Sequence, residues 1–216
     1  LDVTRGDEVW NSSQVWYMPF DDMDDPVTDE ISMWPWREAY YTINVCNFIL
    51  SRTTGDDASL SESMKRIKGQ ALFLRGYSYY TLAGYYQNPA LITDYANYST
   101  LDGLYGKNST YDDVLDQVEK DFSEAMTLLP SRDEGGEWAK GRATCGAAAG
   151  YYARTLMQRH KYSDALVVLK DIMNKKYGSY KLMANYGDNF REGSAYENNA
   201  ESLFEIQYLD YGSQGV

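Results

Sequence analysis

Histidine occurs once in this 216-residue sequence, at His160, and cysteine twice, at Cys46 and Cys145. A Ser-His-Asp arrangement would have to use that one imidazole, and no G-x-S-x-G elbow presents a serine to it. H-E-x-x-H and paired C-x-x-C are missing, which removes the usual zinc frameworks. No G-x-G-x-x-G occurs, and the Gly-Lys pair at Gly106-Lys107 lacks the spacing of a phosphate loop. His160 falls where one helical pattern ends, so a solvated side chain at a helix C-terminus is expected. The cysteines sit among small and apolar neighbours and are expected to be buried thiols.

Positive charge is scarce too. Lys and Arg number 20 against 32 Asp and Glu, a formal charge of -12. Phosphate backbones and anionic lipid both call for basic patches, so a nucleic-acid surface and electrostatic membrane attachment are excluded. No run of eighteen apolar residues is present, hence no transmembrane helix is expected. Leu1 to Gly6 lack the charged and apolar regions of a signal peptide. Asp22 and Asp24 partly match a calcium loop, but the central glycine and distal glutamate are absent, so a solvated turn is expected and neither metal nor cofactor. Among so many acids, no pair can be selected for glycoside hydrolysis, which depends on a measured separation.

Aromatics are abundant: 21 Tyr, 5 Trp and 6 Phe. Tyrosine places a ring in the core and a hydroxyl at water, and a row of such rings also suits stacking on sugars. Four stretches read as long helices. Residues 31–52 have Pro35 in the first turn, with Asn44 and Asn47 on one face as buried amides bonded to a neighbouring loop. In 63–86, Met64, Ile67, Ala71, Leu74, Ser78, Leu82 and Tyr85 make one stripe, and Phe73, Tyr77, Tyr80 and Gly84 a second. Two apolar faces make this the central helix, lying between others. Arg75 on its apolar side requires a partner, expected to be Asp121.

The third helix starts after Ser109 or Thr110 and carries Tyr111, Val114, Leu115, Val118, Phe122, Ala125 and Leu129 before Pro130. The fourth starts after Thr144 and has the small face Gly146 to Gly150, which would admit another helix closely. A tight turn at His160-Lys161 leads to a further helix from Tyr162. Residues 88–109 read as a long, Tyr-bearing loop of functional type, Glu134 to Glu137 as a flexible link, and the alternation from Glu201 to Tyr208 as a strand. Helix pairs with small residues at crossings resemble tetratricopeptide units. The expected fold is mostly α: a tetratricopeptide-like helical-repeat body with long irregular loops and little strand.

The run ALFLRGYSYYTLAGYYQNPALIT, from Ala71 to Thr93, resembles the signature of the SusD-like (SusD/RagB) family. Gly76 stands where alanine is usual there, and Gln87-Asn88 replaces Gly-Asp or Gly-Asn. YTINVCNFIL from Tyr41, STYDDVLDQVEKDFSEAMTLLP from Ser109 and the segment around Glu201 to Tyr208 resemble further family segments in the same order. This resemblance implies an outer-membrane, lipid-anchored protein of Bacteroidetes on the extracellular face. Such a protein would bind oligo- or polysaccharides without chemistry and pass them to a TonB-dependent, SusC-like transporter. It also implies that residues 1–216 form one helical domain, the N-terminal part of a longer protein, with the lipidated cysteine upstream.

No family motif supplies ligand residues position by position. Large aromatics in irregular chain are therefore the candidates: Trp10, Trp16, Trp34, Trp36, Tyr95 and Tyr98, with Asp7, Asn11 and Arg5 for sugar hydroxyls. Two other readings compete: a helical-repeat protein-interaction module without saccharide affinity, and a glycan-processing enzyme.

Overall fold

A computed structural model describes residues 30–193 and 195–207. Six α-helices occur among them: α1 (Glu30–Arg52), α2 (Glu62–Tyr86), the single turn α3 (Leu101–Leu104), α4 (Tyr111–Leu128), α5 (Cys145–Gln158) and α6 (Tyr162–Met173). Side-chain caps start α2, α4 and α5: Ser61, Thr110 and Thr144 accept hydrogen bonds from the N–H groups of Met64, Asp113 and Ala147. Each satisfies a donor that the first helical turn leaves open. Pro35 sits inside α1 and not in its first turn, because the helix begins at Glu30.

The long helices stack in sequence order: α2 lies between α1 and α4, α4 packs on α5, and α5 on α6. The array is a tetratricopeptide-like helical body. Its α5–α6 turn is closed by His160 in the left-handed region, φ 59°.

Helix α2 buries part of the expected stripes, Ala71, Phe73, Ser78 and Leu82 among them, together with residues outside them. Leu72, Phe73, Tyr79, Leu82 and Ala83 are in the core, whereas Ile67, Leu74 and Tyr85 are exposed. A helix held by neighbours on two sides has no single apolar face, so periodicity alone does not choose among its residues. Gly76 marks a close approach to α4: a Cβ there would lie 3.2 Å from Asp121 Cβ and from the Phe122 ring. Fully buried Phe73 centres an aromatic cluster, with ring centroids 5.6 Å from Phe122, 5.7 Å from Tyr151 and 5.0 Å from Phe204. Burial of each such side chain contributes about 1.5–3 kcal/mol.

Four other expectations are corrected. Residues 201–207 form no strand; their neighbourhood is fixed by Arg132, whose guanidinium donates to the carbonyls of Asn198, Asn199 and Ser202. The alternation does not match the burial here: Leu203 and Phe204, neighbours in sequence, both pack on the body, and Ile206 is exposed. The small face of α5 receives side chains from the segment after α6 and not another helix at its two glycines: Tyr180 abuts Gly146, and Leu203 abuts Gly150. Residues 88–109 are also folded, with a 3-10 turn at Tyr95–Ser99 followed by α3, and 3-10 turns likewise fill Arg132–Glu134 and Gly136–Ala139.

Candidate functional site

Two aromatic surfaces stand on this scaffold. The first depends on a polar anchor inside the body. Arg75 donates from Nε to Asp121 Oδ2 at 2.9 Å and from Nη2 to Oδ1 at 2.7 Å. Gln117 donates to the same carboxylate. Burial raises the pKa of Asp121, opposed by the hydrogen bonds and charge of Arg75 and then by Gln117. Arg75 also reaches Asn47 Oδ1 at 2.8 Å, and Asn47 Nδ2 donates to the Ile92 carbonyl at 2.7 Å. The Tyr79 hydroxyl holds both backbone groups of Ile92, and Tyr40 donates to the carbonyl of Ala90.

The segment after Pro89 is thus pinned by side chains from two helices, which satisfies backbone groups that no secondary structure pairs. Asn47 fulfils its expected role toward this loop. Asn44 does not: its Oδ1 is buried and bonds to no protein group among the described residues.

The anchor presents the Tyr95–Ser99 turn. Tyr95 lies 5.2 Å from Phe48 and 5.9 Å from Tyr98 between ring centroids, and Arg52 stands 5.3 Å over Phe48. Burial raises the pKa of Tyr98. Gly103 locks the turn from below, since a Cβ there would meet the Asn97 carbonyl oxygen at 2.1 Å. Gly103→Ala is expected to open the 94–106 segment while leaving the helices intact. Faster amide exchange confined to that segment would show it, and unchanged protection there would refute it.

Of the sequence candidates, Tyr95 and Tyr98 come together on this surface. Trp34 is exposed on α1, on the same outward face as Tyr41, Val45 and Phe48. Trp36 turns inward, 4.9 Å from Tyr40 and 5.0 Å from Tyr86. Arg5, Asp7, Trp10, Asn11 and Trp16 lie outside the described residues, as do Asp22 and Asp24. Among the described residues no group of acids, cysteines and histidine is placed to hold a metal. Both cysteines are buried and free, and burial pushes the Cys46 thiol up to about 12. His160 is exposed, with Nδ1 2.7 Å from the Tyr162 hydroxyl.

The second surface was not anticipated. A groove of about 390 Å³ runs between α2 and α5, lined by Tyr77, Tyr80, Tyr85, Tyr151, Arg154 and Gln158. A neighbouring hollow of about 290 Å³ shares Tyr151 and Arg154 and reaches Leu203 and Phe204. Tyr151 packs edge-on against Tyr77 and Tyr80, and Arg154 lies 5.6 Å over the Tyr80 ring. The hydroxyls of Tyr77, Tyr80 and Tyr151 make no hydrogen bond to a described residue. Burial raises the pKa of Tyr151, with the nearby Tyr77 adding to it. Partly apolar rings with unoccupied hydroxyls suit a ligand that is itself apolar on its faces and polar at its edges. The signal was present as the Tyr77, Tyr80, Gly84 stripe, which spacing alone assigns equally well to packing.

An all-helical body of tetratricopeptide-like pairs carrying open aromatic surfaces defines the class: a helical-repeat scaffold. The family follows from comparison. Residues 2–157 match the SusD-like family model described as "Starch-binding associating with outer membrane", and the chain belongs to that family.

Solved structures agree. A SusD-like carbohydrate binding protein from Bacteroides fragilis NCTC 9343 is 26% identical, with TM-score 0.76 over 88% of this chain and 36% of its own. A SusD superfamily protein from Bacteroides vulgatus ATCC 8482 is 23% identical, with TM-score 0.78 over 91% and 40%. A laminarin binding SusD-like protein is 23% identical, with TM-score 0.65 over 81% and 37%. This chain therefore spans well under half the length of these proteins. No curated protein sequence matches it. No described helix is long and apolar enough to cross a membrane.

Proposed function

We propose that this chain is the N-terminal helical part of a lipid-anchored glycan-binding protein on the outer face of the outer membrane. It captures oligo- or polysaccharides and hands them to a TonB-dependent, SusC-like transporter, without turning them over. The observation that carries the reading is the tyrosine groove between α2 and α5, in a chain whose family is described as starch-binding and outer-membrane associated. Sugar rings offer C–H faces to the tyrosines and hydroxyls to Arg154 and Gln158.

The test is a fluorescence titration of the full-length protein against soluble oligosaccharides, with product analysis of the same mixtures. Saturable binding without cleavage is expected, weakened about tenfold by Tyr80→Ala if the ring contributes an ordinary aromatic contact. Cleavage would overturn the reading. A protein-interaction module is the second reading, favoured by the exposed Trp34, Tyr41, Val45 and Phe48 on α1. It is distinguished by a complete lack of saccharide affinity.

A further inference from the structure

Arg66, Arg75, Arg142, Arg159 and Arg191 each pair with a carboxylate. Arg154 pairs with no carboxylate among the described residues, although the chain carries 32 acidic side chains and an excess of negative charge. Among the described residues its guanidinium has only the Tyr80 ring beneath it. Arg37, Arg52 and Arg132 share this lack among the described residues, but Arg37 is exposed on α1, the ring partner of Arg52 lies on the outward face of α1, and Arg132 is committed to three backbone carbonyls. Arg154 is different because it lines both the tyrosine groove and the hollow beside it. Around it stand Tyr77, Tyr80 and Tyr151, whose hydroxyls bond to no described residue.

A guanidinium is a planar fork of donors that matches a carboxylate with two parallel hydrogen bonds. Over an aromatic face it stays charged and oriented while its outer edge is free. With neutral sugars that edge would meet single hydroxyls and gain little over water. With an acid-bearing sugar it would meet a full negative charge, next to rings that take the apolar face of the same residue. Like charges elsewhere on the acidic chain would reject a polyanion bound without this contact.

From this we infer that the groove recognises an anionic sugar unit, a uronate in the first instance, with Arg154 on its carboxylate and Tyr77, Tyr80 and Tyr151 around its ring. The inference rests on the glycan-binding reading above and names the ligand class of that same groove.

Calorimetric titration of the full-length protein with oligogalacturonate, alginate-derived oligouronate and heparan-sulfate-derived oligosaccharide tests it. Each is set against a neutral counterpart, the methyl-esterified form for the uronates and the desulfated, carboxyl-reduced form for the last. At least one acidic probe should bind more tightly than its neutral form by at least about tenfold, the weight of a hydrogen bond to a charged group.

Arg154→Gln should abolish that preference, Arg154→Lys should restore part of it, and Arg191→Gln should leave it unchanged. Preference for the sulfated probe alone would assign the anion as sulfate and overturn the uronate assignment. Binding of neutral glycans with no acidic preference would overturn this inference and leave the glycan-binding reading standing. Absence of all glycan binding would overturn both. Were Arg154→Gln to lower the melting temperature without altering binding, the guanidinium would be serving a carboxylate elsewhere in the protein, and the inference would fail.

Discussion

Arg75→Met is expected to destabilise the protein by about 3–5 kcal/mol, the range for removing one partner of a buried ion pair. Asp121 is fully buried and Arg75 is 6% exposed, so methionine would leave a carboxylate with Gln117 as its remaining partner and no access to water. The same change frees Asn47 Oδ1 and loosens its hold on the Ile92 carbonyl. Urea denaturation measures the loss as a lower midpoint. The double variant Arg75→Met with Asp121→Leu should regain much of it, because two apolar side chains leave no orphaned charge. It should nevertheless leave the Tyr95–Ser99 turn less protected, since the link to Asn47 is still gone. A single variant as stable as the parent would show that the pair contributes nothing.

Phe73→Ala should cost a similar amount, about 3–5 kcal/mol for a large ring removed from a packed core. The site has little freedom to collapse. Phe122, Tyr151 and Phe204 come from two helices and an irregular segment, and each leans on Phe73 from a different direction. Phe204 loses a support that a helix backbone does not replace, so thermal unfolding should broaden as residues near 204 release first. Tyr151 forms part of the groove wall, so glycan affinity should fall even under conditions where the helices persist. A loss below about 1 kcal/mol would mean that the cavity refills by repacking.

Much of this body is legible in the residues. Ser61, Thr110 and Thr144 announce helix starts because few other residues satisfy an open first turn. Arg75 on an apolar helix demands a buried acid, and Asp121 is the acid on the inward stripe of the next long helix, so the ion pair follows from elimination of a penalty. The inward choice on α2 was less legible, since a helix covered by α1 and α4 carries apolar residues on both sides.

The strand expected over 201–207 failed for a related reason. Alternation in the residues does not by itself bring a partner strand: Leu203 and Phe204 both pack on the body, Ile206 is exposed, and an arginine serves the neighbouring backbone carbonyls. The candidate site was legible only in part. Tyr95 and Tyr98 meet as a pair, but Trp36 turns inward to Tyr40 and Tyr86. The tyrosines of the α2–α5 groove looked like core, because a ring that packs on one edge and lines a cavity on the other has the spacing of both.

The clasp of Arg132 on the carbonyls of Asn198, Asn199 and Ser202 bears on the order of events during synthesis. Those contacts close spans of 66 to 70 residues, and they hold the chain where Phe204 enters the aromatic cluster. All six helices will have left the ribosome before this closure becomes available. Until then the faces of Phe73 and Tyr151 that Phe204 covers stand open to water, a nascent state with sticky aromatic surface in need of shielding. The wall of the groove at Leu203 and Phe204 is accordingly built after the helices it covers.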